Sequence, residues 1–370
     1  MKKIQRSKIE KKAGGTVIKE QKCFMTAPPW KIKIEKGKYK GIRMKIGKVP
    51  ETVLKRSIFK QIQHRREEVL VTPGVGKDCS IIGLEEDEAI VLSTDPITGT
   101  ANEIGKLAVH ITANDIASSG AELIGIMLTI ILPDGARESD LREIMQEIEG
   151  VCKKLNIEVL GGHTEVAAAV NQPIVTVTGV GKIRKNEITT TAGIKPSDEL
   201  VMTKWAGLEG TAILATDKEE ELLTKYNKDF IQGGKDMINF ISVVNDAKIA
   251  KSVGASAMHD ITEGGIFGAL WEIASSSNLG VTVDLKKIPI KQETIEICEF
   301  FDLNPYMLMS SGCLLIATPR GNEMVDKLER EGIPAAVIGR FTKGSERVVL
   351  NEDEKRYLEP PKTDELYKAY

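Results

Sequence analysis

Five short segments of this chain combine glycine with acidic or amide residues where strands and helices are expected to begin or end. They are residues 74–78, 93–95, 113–121, 161–165 and 259–270. Glycine at such junctions lets backbone N–H groups approach a phosphate closely. Carboxylates are the oxygen ligands that Mg²⁺ prefers, usually one or two of them together with phosphate oxygens. The segments therefore suit a site for a magnesium-bound phosphate compound.

Three aspartates in these segments are candidate metal ligands: Asp78, Asp95 and Asp115. If they converge, they can hold a magnesium ion that bridges a triphosphate. Taken singly, each is a weak signal, since a loop aspartate is usually a turn former or a helix cap. Asn114 either helps to hold phosphate or bonds the backbone at a helix end. The sequence lacks G-x-x-x-x-G-K-[ST], G-x-G-x-x-G after a strand, and G-x-S-x-G, which excludes P-loop, dinucleotide-fold and serine-hydrolase sites.

Each of four further residues has two interpretations, one functional and one structural. His163 is either a base or a structural histidine at a strand-to-loop junction. His259 either lies near the site or bonds the backbone. Glu263 either faces the phosphate or caps the helix that starts near Gly264, where the helix dipole favours an acid. Lys204 either reaches phosphate or, as we expect, lies on the surface.

Composition limits the class of protein. The chain has 370 residues, of which 41% are hydrophobic and 28% are charged, as in ordinary globular proteins. Its longest apolar run, residues 123–132, is far shorter than the ~20 residues that span a bilayer. The five cysteines form no C-x-x-C pair, which argues against a disulfide framework and a zinc site. We expect a cytoplasmic protein without a membrane segment.

Charge is distributed unevenly along the chain. Residues 1–43 carry 14 Lys or Arg and three Glu, whereas the rest of the chain is acidic. An acidic body is not typical of a nucleic-acid-binding domain, so nucleic acid is an unlikely partner and would involve only the basic arm. We interpret residues 1–43 as a basic N-terminal extension, with the folded part beginning near Met44.

The chemistry-bearing segments need elements to position them. Hydrophobic periodicity predicts helices over 53–68 and 104–119, a helix capped by Ser139, and helices over 236–251, 268–275 and 323–330. Apolar runs predict strands over 80–83, 89–93, 121–133 and 174–181, and later over 281–285, 312–318 and 335–341. The stretch 189–204 resembles a domain junction. Strands and helices alternate in both halves, which predicts two α+β domains, each a sheet with helices on one face.

In their order, these segments resemble the AIR synthase-like (PurM) superfamily of ATP-using enzymes. The motifs are GVGKDCSII, STDP, NDIASSGA, GGHTEV, MHDITEGGIFGAL and SSGCLLIA, with the connecting stretches GIKPSDELVMTK and WAGLEGTAIL. The superfamily includes aminoimidazole ribonucleotide synthetase, thiamine-monophosphate kinase, selenophosphate synthetase and the hydrogenase maturation factor HypE. LEGTAIL, SVVNDA and AMHDITEGG are most similar to the HypE-like branch.

The resemblance implies a two-domain α+β architecture. It has a PurM-like N-terminal ATP- and Mg-binding domain at residues 44–185, a C-terminal α/β sandwich domain at 196–345 and a tail at 346–370. The N-terminal sheets would pair into a barrel in a homodimer. ATP and Mg²⁺ would be the cofactors, and a maturation protein, a small molecule or a protein-bound group would be the partners.

Site residues follow from the same resemblance. Asp78, Asp95 and Asp115 would hold the metal, and His163, His259 and Glu263 are the candidate catalytic groups. The candidate nucleotide-binding positions are mostly glycines: Gly76, Lys77, Asn114, Gly161, Gly162, Gly264 and Gly265. The shared chemistry is the ATP-driven activation of a substrate oxygen as a phosphoryl leaving group, which depends mainly on positioning and charge neutralisation.

The sequence departs from the HypE pattern at three points. HypE carries its carbamoyl group on a terminal cysteine, whereas this sequence ends LYKAY and its last cysteine is Cys313. Lys77 stands where many relatives have an acid, and His163 stands where HypE-type sequences often have Asp. We therefore expect phosphoryl activation, in hydrogenase or metallocofactor maturation. A thiamine-monophosphate kinase-like or AIR synthetase-like enzyme and a non-catalytic nucleotide-binding scaffold remain the alternatives.

Overall fold

A computed structural model describes residues 47–48, 53, 55–71, 81–82, 84, 87–97, 103–359 and 364–370. The basic extension at 1–43 and the predicted ligands Gly76, Lys77 and Asp78 lie outside these residues. Within them, no helix is long and apolar enough to cross a membrane.

The N-terminal half is built on a five-stranded sheet in the order β1-β6-β5-β7-β4. The strands in this half are β1 (Gly47–Lys48), β2 (Val69–Val71), β3 (Ile81–Ile82), β4 (Glu88–Ile97), β5 (Glu122–Pro133), β6 (Glu158–Ala167) and β7 (Ile174–Arg184). Its helices are α1 (Ile104–Ser118) and α2 (Glu138–Leu155). β5 and β6 are parallel and α2 connects them, while the other pairings in this sheet are antiparallel. β2 and β3 form a separate two-stranded ribbon.

Both helices pack on one face of this sheet. The apolar side of α2, including Leu141, Met145 and Ile148, is buried, as its 3–4 spacing predicts. α1 lies close to β7, because a Cβ at Gly181 would meet the Ile116 side chain at 2.5 Å. This close approach positions the C-terminal part of α1, which carries Asp115, over the sheet.

The C-terminal half contains a seven-stranded sheet in the order β14-β13-β10-β12-β8-β11-β9. Its strands are β8 (Glu199–Thr203), β9 (Ala257–Ile261), β10 (Gly280–Asp284), β11 (Cys313–Thr318), β12 (Ala335–Thr342), β13 (Arg347–Asn351) and β14 (Glu354–Tyr357). The helices are α3 (Leu208–Asp217), α4 (Glu219–Leu222), α5 (Lys228–Asp236), α6 (Val244–Val253), α7 (Gly265–Ser277), α8 (Gln292–Phe300) and α9 (Gly321–Arg330). The architecture is the predicted α+β one.

Helices cover both faces of the C-terminal sheet, so the prediction of helices on one face is wrong for this half. α7 packs on one face, where Ile266 and Leu270 join the core. α6 and α9 pack on the other face with Met258, Leu314 and Ile316. All six residues of β11 are buried, which explains why its sequence reads as a continuous apolar run.

Two predicted helices are wrong because tertiary contacts override the local pattern. In the 53–68 stretch the structure is helical at Val53 and forms a π-helical turn at Lys55–Phe59, whereas residues 60–68 form turns and irregular chain. Arginines from this stretch bind carboxylates of the sheet and α2: Arg56 binds Glu138 and Arg65 binds Glu158. The predicted helix over 236–251 is interrupted after a 3₁₀ turn, and α6 begins only at Val244.

Two boundaries also differ from the predictions. The residue before α2 is Arg137, whose N–H donates to the Asp140 carboxylate at 2.9 Å, so Ser139 lies inside the helix and does not cap it. The segment predicted as a tail, 346–370, contributes β13 and β14 to the sheet and ends in a 3₁₀ turn, Glu365–Ala369.

Candidate functional site

Three carboxylates from three elements meet where the two halves contact each other: Asp95 on β4, Asp115 on α1 and Asp260 on β9. Ser93 and Asp95 share a face of β4 because they are two residues apart. The Ser93 hydroxyl donates to the Asp115 carboxylate at 2.5 Å and lies 3.3 Å from the Asp95 carboxylate. The structure thus brings together two of the predicted metal ligands.

The Asp115 and Asp260 carboxyls lie in an environment that disfavours charge. Burial raises the pKa of Asp115, and the charges of Asp260 and Asp95 raise it further. Burial also raises the pKa of Asp260, against a lowering contribution from His259. Buried acids that repel one another await a cation or a proton. This electrostatic arrangement favours a divalent metal.

The donors at this site are carboxylate oxygens, the ligand type that Mg²⁺ prefers. The Oδ2 atom of Asp260 is buried and has no hydrogen-bond partner. Among the described residues, no group of three or more His, Cys, Asp and Glu side chains is arranged so that it could hold a metal ion. Mg²⁺ usually retains several waters and takes one or two carboxylates plus phosphate oxygens, so an incomplete protein shell is what it needs.

Asp260 was not among the site residues predicted from the sequence, whereas the nearby His259 and Glu263 were. Side chains alternate across a strand, so Asp260 and His259 point to opposite faces of β9. Asp260 shares its face with Met258, which packs in the same cluster as Ala117 of α1. His259 lies 3.2 Å from Glu272 of α7. The HDITEGG motif indicated that this segment contributes to the site, but the motif does not indicate which of its polar residues faces α1.

Other predicted residues lie apart from the carboxylates. His163 on β6 is exposed and lies 3.4 Å from Glu165. His163 pairs with Thr129 of β5, which lies two residues after Met127. His163 and Met127 are therefore on the same face of the sheet, the face away from α1. Gly162 has a packing reason, since a Cβ there would lie 1.9 Å from the Leu128 carbonyl oxygen. The catalytic role of His163 and the phosphate role of Gly161 and Gly162 stay predictions.

Asn114 connects the two halves. It is completely buried, its amide donates to the Ile241 carbonyl at 2.9 Å, and its side-chain oxygen accepts from the Val243 N–H at 2.8 Å. These bonds hold the chain at the point where the predicted helix over 236–251 is interrupted. Both polar groups of the amide are thus engaged by backbone, which favours the backbone-bonding interpretation over phosphate binding.

The start of α7 already holds an anion that belongs to this chain. The Gly264 N–H donates to the Asp364 carboxylate at 2.7 Å. Gly265 has φ 62°, and a Cβ there would lie 2.7 Å from the carbonyl oxygens of Tyr306 and Leu308. Glu263 is exposed beside them. The Gly264 amide thus binds the carboxylate of Asp364, and the role of Gly264 and Gly265 in nucleotide binding stays a prediction.

Glu209, at the start of α3, is a buried acid that sequence reasoning did not single out. Burial raises its pKa to about 7, and the charges of Asp364 and Glu263 contribute to the rise, while hydrogen bonds with Ser311 oppose it. The group is poised to exchange a proton near neutral pH. Its position within LEGTAIL was visible in the sequence, but its burial was not.

We predict that Glu209→Gln stabilises the protein in alkaline solution. An acid whose folded pKa is raised favours folding below its ordinary pKa of 4.5, and that stability is lost as pH rises through about 7. The variant should exceed wild type by about 1–3 kcal/mol near pH 8 and match it near pH 4. Urea denaturation at both pH values measures this. Glu299→Gln, on an exposed residue of α8, is the control, and an equal gain in that control would contradict the prediction.

Lys204 is not a surface lysine, so that expectation is wrong. It is only 4% exposed, and its ammonium donates to Asp246 at 2.6 Å and to the carbonyl oxygens of Gly312 and Ser242 at 2.7 and 2.8 Å. An ammonium group has three donors. Since all three are engaged, Lys204 has none left for phosphate in this arrangement.

Comparisons with known proteins agree with the architecture. The model of AIR synthase related protein, N-terminal domain, matches residues 76–183, and that of the C-terminal domain matches residues 195–351. A putative hydrogenase expression/formation protein of Methanocaldococcus jannaschii is 29% identical over 82% of this chain and 91% of its own length. Carbamoyl dehydratase HypE of Cupriavidus necator is 26% identical over 70% of this chain and 76% of its own length.

Solved structures show the same fold. Hydrogenase maturation protein HypE in complex with ATP has a TM-score of 0.72 at 20% identity and covers 88% of this chain and 97% of that one. A chain of the HypE–HypF complex has a TM-score of 0.64 at 20% identity, and the match covers 75% of this chain and 93% of that one. The resemblance to the PurM-like, HypE-like group is confirmed. This chain belongs to the AIR synthase-related protein family.

Proposed function

We propose that this chain is an ATP-dependent enzyme that activates a substrate oxygen by phosphoryl transfer, in the maturation of a hydrogenase or another metallocofactor. The observation that supports it is the group Asp95, Asp115 and Asp260, with a buried carboxylate oxygen that has no hydrogen-bond partner. The relatives named above include a carbamoyl dehydratase, and one solved relative binds ATP. Phosphoryl transfer needs positioned charges more than a protein nucleophile, and this site offers positioned charges.

Asp95, Asp115 and Asp260 would hold Mg²⁺ between the phosphates of ATP and the protein. When bound, the ion would neutralise phosphate charge and make the transferred group a better electrophile. Ser93 orients the Asp115 carboxylate through its 2.5 Å hydrogen bond. Asn114 fixes α1 against the 241–243 backbone and so maintains the distance between Asp115 and Asp260.

The described cysteines are unsuited to carry the substrate group. Cys152, Cys298 and Cys313 are all buried. Burial raises the pKa of the Cys298 and Cys313 thiols to about 12, so neither is a thiolate at neutral pH. We infer that the group activated at this site is not carried on any of the three described cysteines. The solved HypE–HypF complex makes a maturation protein a reasonable partner to test.

The experiment is to measure ADP formation by the full chain with magnesium-ATP, alone and with candidate maturation partners and small amide or carboxyl substrates. We expect substrate-dependent ADP release. Tight ATP binding with no ADP over hours would instead support a nucleotide-binding scaffold. Failure to bind ATP under any of these conditions would refute the proposal.

We also propose a homodimer formed through the N-terminal sheet. The face of this sheet opposite α1 exposes Ile90 by 51%, Leu92 by 65% and Met127 by 37%. Ile90 and Leu92 alternate along β4, and Met127 continues the face through its pairing with Thr178. A contiguous apolar sheet face on a soluble domain is typical of an interface.

Leu92→Lys tests this interface. A charge at the centre of an apolar contact should weaken the dimer by about tenfold or more, because the ammonium group must be desolvated. Analytical ultracentrifugation across a concentration series measures the dissociation constant. Ile188→Lys is the matched control on a 47% exposed apolar residue outside the sheet. A monomeric wild type, or equal effects of the two variants, would contradict the proposal.

A further inference from the structure

One side of α1 carries contacts between the two halves. Four of its residues follow one another at intervals of three or four positions and so share that side: Leu107, His110, Asn114 and Ala117. Leu107 and Ala117 join the two hydrophobic clusters that lie on opposite faces of the C-terminal sheet. Asn114 bonds the 241–243 backbone. Since the residues before and after His110 on this side all contact the C-terminal half, His110 lies within the junction.

His110 is buried at this junction, and one of its ring nitrogens lacks a partner. The residue is 8% exposed, and its buried Nδ1 atom has no hydrogen-bond partner among the described residues. A neutral imidazole has one donor and one acceptor, whereas a protonated imidazole has two N–H donors to satisfy. Protonation would place a charged donor where no acceptor is available, which is more costly than the unpaired neutral nitrogen.

The charges that act on His110 are all positive. They come from three parts of the structure: Lys106 on α1, Lys154 on α2 and Lys204 in the C-terminal half. Burial and, to a smaller extent, repulsion by these ammonium groups lower the pKa of His110 to about 4. The imidazole is therefore uncharged in neutral solution.

Three acids on the elements around His110 are each bound by another group, either a lysine or a backbone N–H. The pairs are Glu103 with Lys106, Asp246 with Lys204, and Glu147 with the N–H of Gly105. A proton on His110 therefore adds positive charge to a buried junction in which these acids are already engaged.

We propose that His110 is an acid-sensitive contact of the junction: protonation of its ring in mildly acidic solution loosens the packing of α1 against the C-terminal half. α1 carries Asp115, whereas Asp260 belongs to β9 on the other side of the junction. Loosening therefore changes the separation of two proposed metal ligands. Its consequence for magnesium-ATP rests on the proposed function, whereas the loosening itself does not.

The neutral form of His110 favours the packed junction, and the direction of its pH dependence follows from the lowered pKa. The contribution is complete above the ordinary pKa of 6.5 and is lost as pH falls toward the folded value of about 4. For these two values the equilibrium constant for opening rises about thirtyfold from about pH 7.5 to about pH 5. The raised pKa values of Asp115 and Asp260 act in the opposite direction. A comparison of the wild type with His110→Phe, which removes the titrating ring, therefore isolates the contribution of His110.

Amide hydrogen exchange on the full chain without ligand, read by mass spectrometry, measures opening of the junction. The rates are corrected for the pH dependence of the chemical exchange step. Relative to His110→Phe, peptides of α1 in the wild type should lose about thirtyfold in protection between the two pH values. Peptides of α9 are the internal reference and should show no such difference. His163→Gln, at an exposed histidine, should behave as wild type.

If His110→Phe folds poorly, His110→Gln is the second variant, since it replaces the ring with an uncharged amide and should give the same result. Equal pH dependence of the α1 peptides in the wild type and in the variant would overturn the proposal. So would an equal effect in α9, because His110 would then act on the whole fold and not on the junction. Absence of magnesium-ATP binding in every form would refute the proposed function, and the exchange result would still decide the role of His110.

Discussion

Asp115→Asn should lower the affinity for magnesium-ATP by about a hundredfold and, in EDTA, make the protein more stable than wild type. The two effects have one cause. In the metal-free protein, burial and the charges of Asp260 and Asp95 raise the pKa of Asp115, so its ionised form is unfavourable in the folded state. Bound Mg²⁺ turns the same charge into a ligand. A residue kept for function at the expense of stability shows this combination.

The pH dependence of the stability gain follows from the same shift. An acid with a raised folded pKa stabilises the folded state below its ordinary value of 3.8, and this contribution is lost as pH rises above it. The gain from Asp115→Asn in EDTA should therefore be absent in acid and reach about 1–3 kcal/mol in alkaline solution. Calorimetric titration with ATP and thermal unfolding with and without Mg²⁺ measure both effects.

Asp134→Asn is the matched control, since Asp134 is an exposed acid in the turn after β5. It should change neither quantity. Asp95→Asn and Asp260→Asn should weaken magnesium-ATP binding in the same direction as Asp115→Asn. Unchanged affinity in Asp95→Asn and Asp115→Asn would show that the nucleotide lies elsewhere, and a loss of stability in EDTA for Asp115→Asn would refute the electrostatic explanation.

Elements whose pattern is decided locally were predictable from the sequence. α2 keeps a 3–4 apolar spacing along its whole length, and β5 and β11 are continuous apolar runs, so each was found close to its true position. The motif order added the superfamily, which no single segment could supply. These features depend on neighbours along the chain and not on distant contacts.

Features decided by distant contacts were not predictable. Residues 55–68 have a helical pattern, but the helical conformation ends at Phe59, and Arg56 and Arg65 bind carboxylates more than 80 residues away. The site shows the same limit. The sequence of a five-residue strand does not indicate which of its faces contacts α1. It therefore could not show that Asp260 lies at the site, whereas His259 lies on the opposite face of β9.

Lys204 was hard to interpret from the sequence, whereas the structure assigns it a clear role. Its ammonium pairs with Asp246 in a fully buried contact, with side chains 5% and 2% exposed. It also donates to carbonyl oxygens near the start of α6 and just before β11. The ammonium thus joins three separate segments of the C-terminal half. A role in stability predicts a different result from a role in phosphate binding.

Lys204→Met should therefore destabilise the protein by about 3–5 kcal/mol, because it leaves the Asp246 carboxylate buried without its cation. Lys204→Met combined with Asp246→Leu should recover a large part of the loss, since no unpaired charge then remains. Lys251→Met is the control: Lys251 also binds a carboxylate and a carbonyl oxygen, but its ion pair with Glu187 is solvent-exposed and should be worth less than about 1 kcal/mol. Urea denaturation gives the three values. If Lys204 binds phosphate instead, Lys204→Met will lower ATP affinity at nearly unchanged stability, which is the opposite of what its three buried acceptors require.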